Sequence, residues 1–210
     1  MTPPFLQAFI QYERFSYRYV QANLLVIALT IPIITAPAAY AALLHMTRTA
    51  HTGITTTFSD FWEGFRLYFK RATLLGVCEA LVAFMLYINF TTYASGQGLA
   101  FVMLRVAWFI LIGWWFMARL YAWPLLIVLD LTGKSAVGAV IDVYRNAFLM
   151  LFRKPVYTGI LAVFSGVTAL VSAVLVVPLV LLYVGVIANL TLIAVVEIIS
   201  SSPSVKNQRQ

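Results

Sequence analysis

Charge is what this sequence has least of. Lys, Arg, Asp and Glu together make up 10% of its 210 residues, against about 25% in an average soluble domain. Hydrophobic residues make up 62%, in runs too long for a chain of this size to bury in a core of its own. Lipid must cover part of that surface, which excludes a soluble domain. Cysteine is limited to Cys78, so neither an intramolecular disulfide nor a Cys-x-x-Cys metal site can form. The phosphate loop GxxxxGK[ST], the nucleophile elbow GxSxG and the zinc pattern HExxH do not occur. His45 and His51 flank Arg48 with no further Cys or His nearby, too few ligands for zinc. These absences argue against an enzyme and against a bound cofactor or metal. The first residues also lack the basic stretch of a signal peptide, so the first apolar run is expected to stay as an anchor.

What is present is apolar length. A hydrocarbon core of roughly 30 Å takes about 20 helical residues to cross. Stretches 22–44, 73–93, 99–129, 156–177 and 179–199 reach that length. The last two adjoin at Pro178 and read as a hairpin, with Tyr183 and Gly185 as alternative turn sites. The expectation is an all-α integral membrane protein of about five transmembrane helices, a single membrane domain over 1–210 with a disordered tail at 200–210, lodged as a multi-pass protein in the plasma membrane of a bacterial cell.

The net charge of +7 belongs to that reading. Arg48, Arg66, Lys70 and Arg71 precede the second stretch, and Lys134, Arg145, Arg153 and Lys154 follow the third. The turn at 94–98 has no charge. Basic loops mark the cytoplasmic side, so both lie inside and nucleic acid is not expected as a partner. Five crossings then put the N-terminus outside, in conflict with Arg14 and Arg18. The conflict disappears if the first run, kinked at Pro32 and Pro37, dips in and returns.

Both basic loops carry an apolar helical face. In the first, Phe58, Phe61, Trp62, Phe65, Tyr68 and Phe69 recur at spacings of a helical turn. Thr57 with Asp60 resembles a capping box that starts the helix. In the second, Val137, Val140, Ile141, Tyr144, Phe148 and Leu151 do the same. Two amphipathic interfacial helices are expected, their apolar faces on the lipid bilayer or a second membrane protein. The membrane-contact residues are taken as Phe61, Trp62, Phe65, Phe69, Lys70 and Arg71 in one, and Phe148, Phe152, Arg153 and Lys154 in the other.

These segments also align with each other. Phe65, Phe69, Lys70, Arg71 and Gly76 match Phe148, Phe152, Arg153, Lys154 and Gly159 at a constant offset. A parallel internal repeat follows as a possibility, with units at 20–93 and 99–177 and a closing helix at 179–199.

Asn23, Leu24 and Leu25, then Pro32-Ile33-Ile34-Thr35, then Pro37-Ala38 with Ala42-Leu43, make a distinctive opening. The pattern Phe61-Trp62-x-x-Phe65-x-x-x-Phe69 follows. Together they resemble the YesL-like family of bacterial integral membrane proteins, most strongly over 20–90. The resemblance implies no catalytic residues. Its members have no known function and often neighbour genes for carbohydrate uptake. That association implies a sugar permease as a possible partner.

Ionisable groups inside a membrane are costly and often functional. Glu79 lies about 12 Å along its helix from Arg71, and Arg119 about 16 Å from Asp130. Both depths count from the inner face, so the two are expected to form an intramembrane ion pair, either locking helices together or relaying a proton or substrate. Arg105 and Glu197 sit near helix ends, where long side chains snorkel. Asn23, Asn89 and Asn189 can hydrogen-bond between helices. Two functions are therefore open: a non-enzymatic accessory membrane protein associated with carbohydrate uptake, or a small-molecule permease built on Glu79 and Arg119.

Overall fold

The computed structural model describes residues 21–51, 57–94, 96–129, 131–174 and 178–200. Among them are seven helices and no strand: α1 (Gln21–Thr30), α2 (Ala36–His51), α3 (Phe58–Ala94), α4 (Leu99–Val128), α5 (Ala136–Arg153), α6 (Pro155–Val174) and α7 (Pro178–Ser200). The expected tail at 201–210 and the centre of the expected turn before Pro178 lie outside the described residues.

The first apolar run is not one helix. Pro32 has no N–H to give, and its ring drives the preceding residue out of the helical region. The chain opens over 31–35, and Ile33 is left at φ 53°, a left-handed backbone that a β-branched residue rarely adopts. Pro37 is tolerated because it stands in the first turn of α2, where an N–H has no helical partner.

Helix α2 packs along α3 through small residues. Ala38, Ala39, Ala41 and Ala42 are buried on α2, facing a stripe of Phe61, Gly64, Tyr68, Ala72, Leu75 and Glu79 on α3. The stripe advances by three or four residues, one face of a helix. Small side chains let the two backbones approach closely: a Cβ on Gly76 would fall 2.5 Å from Pro37 Cγ.

The first interfacial segment needs correction. It is not separate from the second span but continuous with it in α3, a helix of 37 residues, about 55 Å long. The start falls where the capping pair places it, with Thr57 N and Oγ1 donating to Asp60 Oδ2 at 2.6 and 3.1 Å. Phe61, expected at the membrane surface, is fully buried against α2. Trp62 and Lys70 are exposed, and Phe65 and Phe69 are half-buried. Arg71 is also half-buried, and its Nη2 donates to the carbonyls of Leu131 at 2.9 Å and Lys134 at 3.3 Å rather than facing headgroups alone. Arg48 Nη1 donates to the Ile127 carbonyl. Arg48 thus serves the C-terminal end of α4, where carbonyls lack helical partners and the helix dipole is negative, and Arg71 holds the loop that follows it.

The second segment does break from its span. Ser135 caps α5 by accepting from Gly138 N at 3.1 Å, and α5 meets α6 at a bend of 107°. One residue accounts for the difference between the aligned segments. Pro155 occupies the position that Ala72 holds in α3. Proline cannot donate to the carbonyl four residues back and clashes with it, whereas alanine continues the helix. The apolar face of α5 is also split. Ala139, Val143, Ala147 and Met150 turn into the bundle, as do Val140 and Leu151, while Val137, Ile141, Phe148 and Phe152 face outward. The chain itself, not lipid or a partner alone, covers half of this helix. Arg153 and Lys154 are exposed at its end.

Helices α3 and α4 are long and apolar enough to cross a membrane, and the bent pair α5–α6 makes a third if taken as one span. That is two or three candidate spans among the described residues, where about five were expected. The first run falls short because its break divides it into pieces below the roughly 20 residues that a crossing requires. Beyond Glu79 on α3 and before Arg119 on α4, large apolar residues such as Phe84, Met85, Met103 and Phe109 are more than 60% exposed. That outward apolar surface fits a membrane protein.

Candidate functional site

Where α2, α3, α4, α6 and α7 meet, they form a half-open cavity of about 590 Å³, within the size range of small-molecule sites. Gly76, Glu79, Ala80 and Ala83 line it from α3, one helical face by their spacing. Trp115, Arg119 and Trp123 line it from α4, each one turn from the next. Pro37 and Tyr40 contribute from α2, Ser165 from α6, and Ile187 and Thr191 from α7. The left-handed Ile33 stands on the same wall. Backbone strain of this kind persists only where surrounding structure imposes it, and it concentrates at functional sites.

Glu79 is the polar centre. The residue is 5% exposed. Its Oε2 accepts from Arg119 Nε at 3.0 Å and from Trp123 Nε1 at 3.1 Å. Tyr40 meets Trp123 edge to face with ring centroids 5.2 Å apart, which holds the indole in place. The structure therefore brings Glu79 and Arg119 together, and it adds Trp123 as a second donor to the same oxygen. The other oxygen, Oε1, is buried without a hydrogen-bond partner among the described residues. The Trp115 Nε1 donor is buried without one too. Arg119 lies over the Trp115 ring, its Cζ 5.7 Å from the centroid, a cation–π distance. Its side chain is 48% exposed, so part of the guanidinium stays open to its surroundings.

An unpartnered buried polar atom costs about 1–3 kcal/mol. Two such atoms beside an incompletely engaged guanidinium, all on one apolar-walled cavity, suit a ligand with an apolar body and a polar end. Among the described residues no three of His, Cys, Asp or Glu come together as metal ligands. The spacing of Trp115, Arg119 and Trp123 at intervals of four was visible in the sequence. It marks one face of a helix, and it was the signal available for both tryptophans. Ser165, Thr191 and the strain at Ile33 had no such signal.

Of the other polar residues on the apolar helices, two are used locally and one joins helices. Asn89 Nδ2 donates to Met85 O at 2.7 Å within α3. Arg105 Nε donates to Phe101 O at 3.4 Å within α4. Asn189 joins two helices: its Oδ1 lies 2.7 Å from His51 Nε2 and ties α7 to the end of α2. Burial lowers the His51 pKa, and this hydrogen bond opposes the shift.

Residues 19–90 match the family described as Protein of unknown function, DUF624. The match covers α1, α2 and most of α3, where the YesL-like resemblance is strongest. It includes Gly76 and Glu79 and ends before α4. No curated protein and no solved structure matches the chain.

Proposed function

We propose that this protein is a non-enzymatic multi-pass membrane protein, YesL-like and resident in a bacterial plasma membrane, that admits a small molecule to the cavity around Glu79 and Arg119. The observation that carries this reading is the orphaned Glu79 Oε1, buried on the cavity wall beside the half-exposed Arg119. A pair serving only to lock α3 to α4 would gain by satisfying both oxygens from within the protein. In this reading α6 and α7 also cross the bilayer and close the cavity from the side opposite α3, which returns the count of spans toward about five. Transport is the natural use of such a site, since discontinuous helices and midplane polar residues recur in permeases.

Thiol accessibility tests the reading. In a Cys78→Ser background, Ala83→Cys on the cavity wall should react with a water-soluble thiol reagent. Met85→Cys, on the outward apolar surface, should not. Protection of both positions would remove the water-accessible cavity and the reading with it.

A second reading, an accessory subunit of a carbohydrate permease, draws support from the outward apolar residues Val137, Ile141, Phe148 and Phe152 of α5. Mild-detergent co-purification tests it, and recovery of the chain alone would count against it.

A further inference from the structure

We propose that the cavity takes an organic monoanion, whose oxyanion pairs with Arg119 and Trp115, and that Glu79 accepts one proton from the aqueous phase as the anion binds. This rests on the reading of the cavity as a ligand site.

The hydrogen-bonding inventory points to an anion. Among the described residues, the buried groups left without a partner at the polar end are the Trp115 Nε1–H and a single carboxylate oxygen, Glu79 Oε1, beside the half-exposed guanidinium of Arg119. Thr191 adds no donor, because its hydroxyl proton is directed to the Ile187 carbonyl at 2.8 Å or the Ala188 carbonyl at 3.2 Å within α7. N–H donors are therefore in surplus. A ligand supplying acceptor oxygens answers them, and a planar carboxylate matches the guanidinium fork. The walls that meet its remaining atoms are aromatic: Tyr40, Trp115, Phe116 and Trp123.

Charge then requires the proton. With Glu79 ionised and Arg119 cationic, the empty site is neutral. An anion entering it would place two negative groups about one arginine in a medium of low dielectric, where like charges cannot both stay ionised cheaply. Protonating Glu79 restores neutrality and frees Arg119 Nε to turn to the ligand. The new carboxylic O–H can donate to the bound oxyanion, and Trp123 Nε1 can continue to donate to Oε2.

The neighbouring groups do not offer a competing site of similar reach. The pair faces Tyr40 from α2, Arg119 from α4, Tyr144 from α5, Ser165 from α6 and Thr191 from α7, with Cys78 beside Glu79 on α3. Glu79 is the only carboxylate among them.

The test uses the purified full-length protein in detergent, with benzoate as the probe anion and benzamide as its neutral counterpart, followed by tryptophan fluorescence. Benzoate should bind at least tenfold tighter than benzamide. Its Kd should rise as the pH rises from 6 to 8, approaching the roughly tenfold per pH unit expected for uptake of one proton. Glu79→Gln, which mimics the protonated acid, should bind benzoate with no pH dependence and at least as tightly as the parent does at pH 6. The double variant Glu79→Gln/Arg119→Gln keeps the site neutral, and with its circular dichroism unchanged from that of Glu79→Gln it should lose benzoate. A flat pH profile in the parent, or loss of benzoate in Glu79→Gln alone, overturns the inference. Equal binding of benzamide and benzoate overturns it as well but leaves the cavity reading standing. Failure of both ligands together with an unreactive Ala83→Cys overturns both.

Discussion

Gly76 offers a sharp test of how the cavity is held open. It sits on α3 where the Pro37 ring of α2 presses closest, and a methyl group there would lie 2.5 Å from Pro37 Cγ and 2.9 Å from Pro37 Cβ. Carbon atoms in contact prefer about 3.5–4.0 Å, so Gly76→Ala demands a separation of about 1 Å. A proline ring has no rotamer by which to retreat, and the backbone of α2 must move. Overpacking of this kind costs about 1–3 kcal/mol. Replacing glycine in a helix returns up to about 1 kcal/mol. The net loss is therefore about 0–3 kcal/mol. Gly159, the aligned residue on α6, provides the control. A methyl group there meets nothing within 4 Å, so Gly159→Ala should be neutral or stabilising by up to about 1 kcal/mol. Unfolding of both variants in mixed micelles, titrated with SDS and followed by tryptophan fluorescence, gives the comparison. Gly76→Ala should be the less stable by about 1–3 kcal/mol. If it equals or exceeds Gly159→Ala, the close α2–α3 approach is wrong, and with it the placing of Pro37 on the cavity wall.

Other outcomes follow from the same coordinates. Arg119→Met strands the Glu79 carboxylate and should destabilise by about 2 kcal/mol, below the 3–5 kcal/mol for a wholly buried pair because Arg119 is half exposed. Adding Glu79→Leu should recover part of that loss, and strict additivity in the double-mutant cycle would show that the two groups do not interact. Burial lowers the His51 pKa below 6.5, so the folded state binds fewer protons than the unfolded one. The contribution of His51 is complete above pH 6.5 and is lost as the pH falls through the folded-state pKa. Thermal unfolding at pH 7.5 and 5.5 should show a smaller drop for His51→Gln than for the parent, and an equal drop would remove His51 as the cause. Ala72→Pro, which gives α3 the residue found at the α5–α6 bend, should cost about 3 kcal/mol or more and lower the helical signal in circular dichroism. With Cys78 replaced by Ser, Gln97→Cys should be labelled by an impermeant thiol reagent applied to intact cells, and labelling only after lysis would reverse the orientation drawn from the basic loops.

The sequence by itself determined the class of molecule, because that depends on additive quantities. Scarce charge and long apolar runs can be read residue by residue, and so can the limits of α4, α6 and α7 to within a few positions. The Thr57–Asp60 cap and the shared depth of Glu79 and Arg119 were legible for the same reason, being set by distance along a helix. Tertiary structure alone decided the rest. A stripe of aromatics at helical spacing shows that one face is apolar but not what covers it, so Phe61 was assigned to the membrane when the alanines of α2 bury it. The basic residues were legible as charges, but only packing brought Arg48 to a carbonyl at the end of α4 and Arg71 to those of the loop after it. Whether an aligned segment runs straight or bends turned on Pro155 against Ala72, a difference that the aromatic-basic pattern conceals. The cavity is the clearest case. Its lining comes from five helices far apart in sequence, and the unpartnered oxygen of Glu79 exists only because Arg119 and Trp123 converge on its twin.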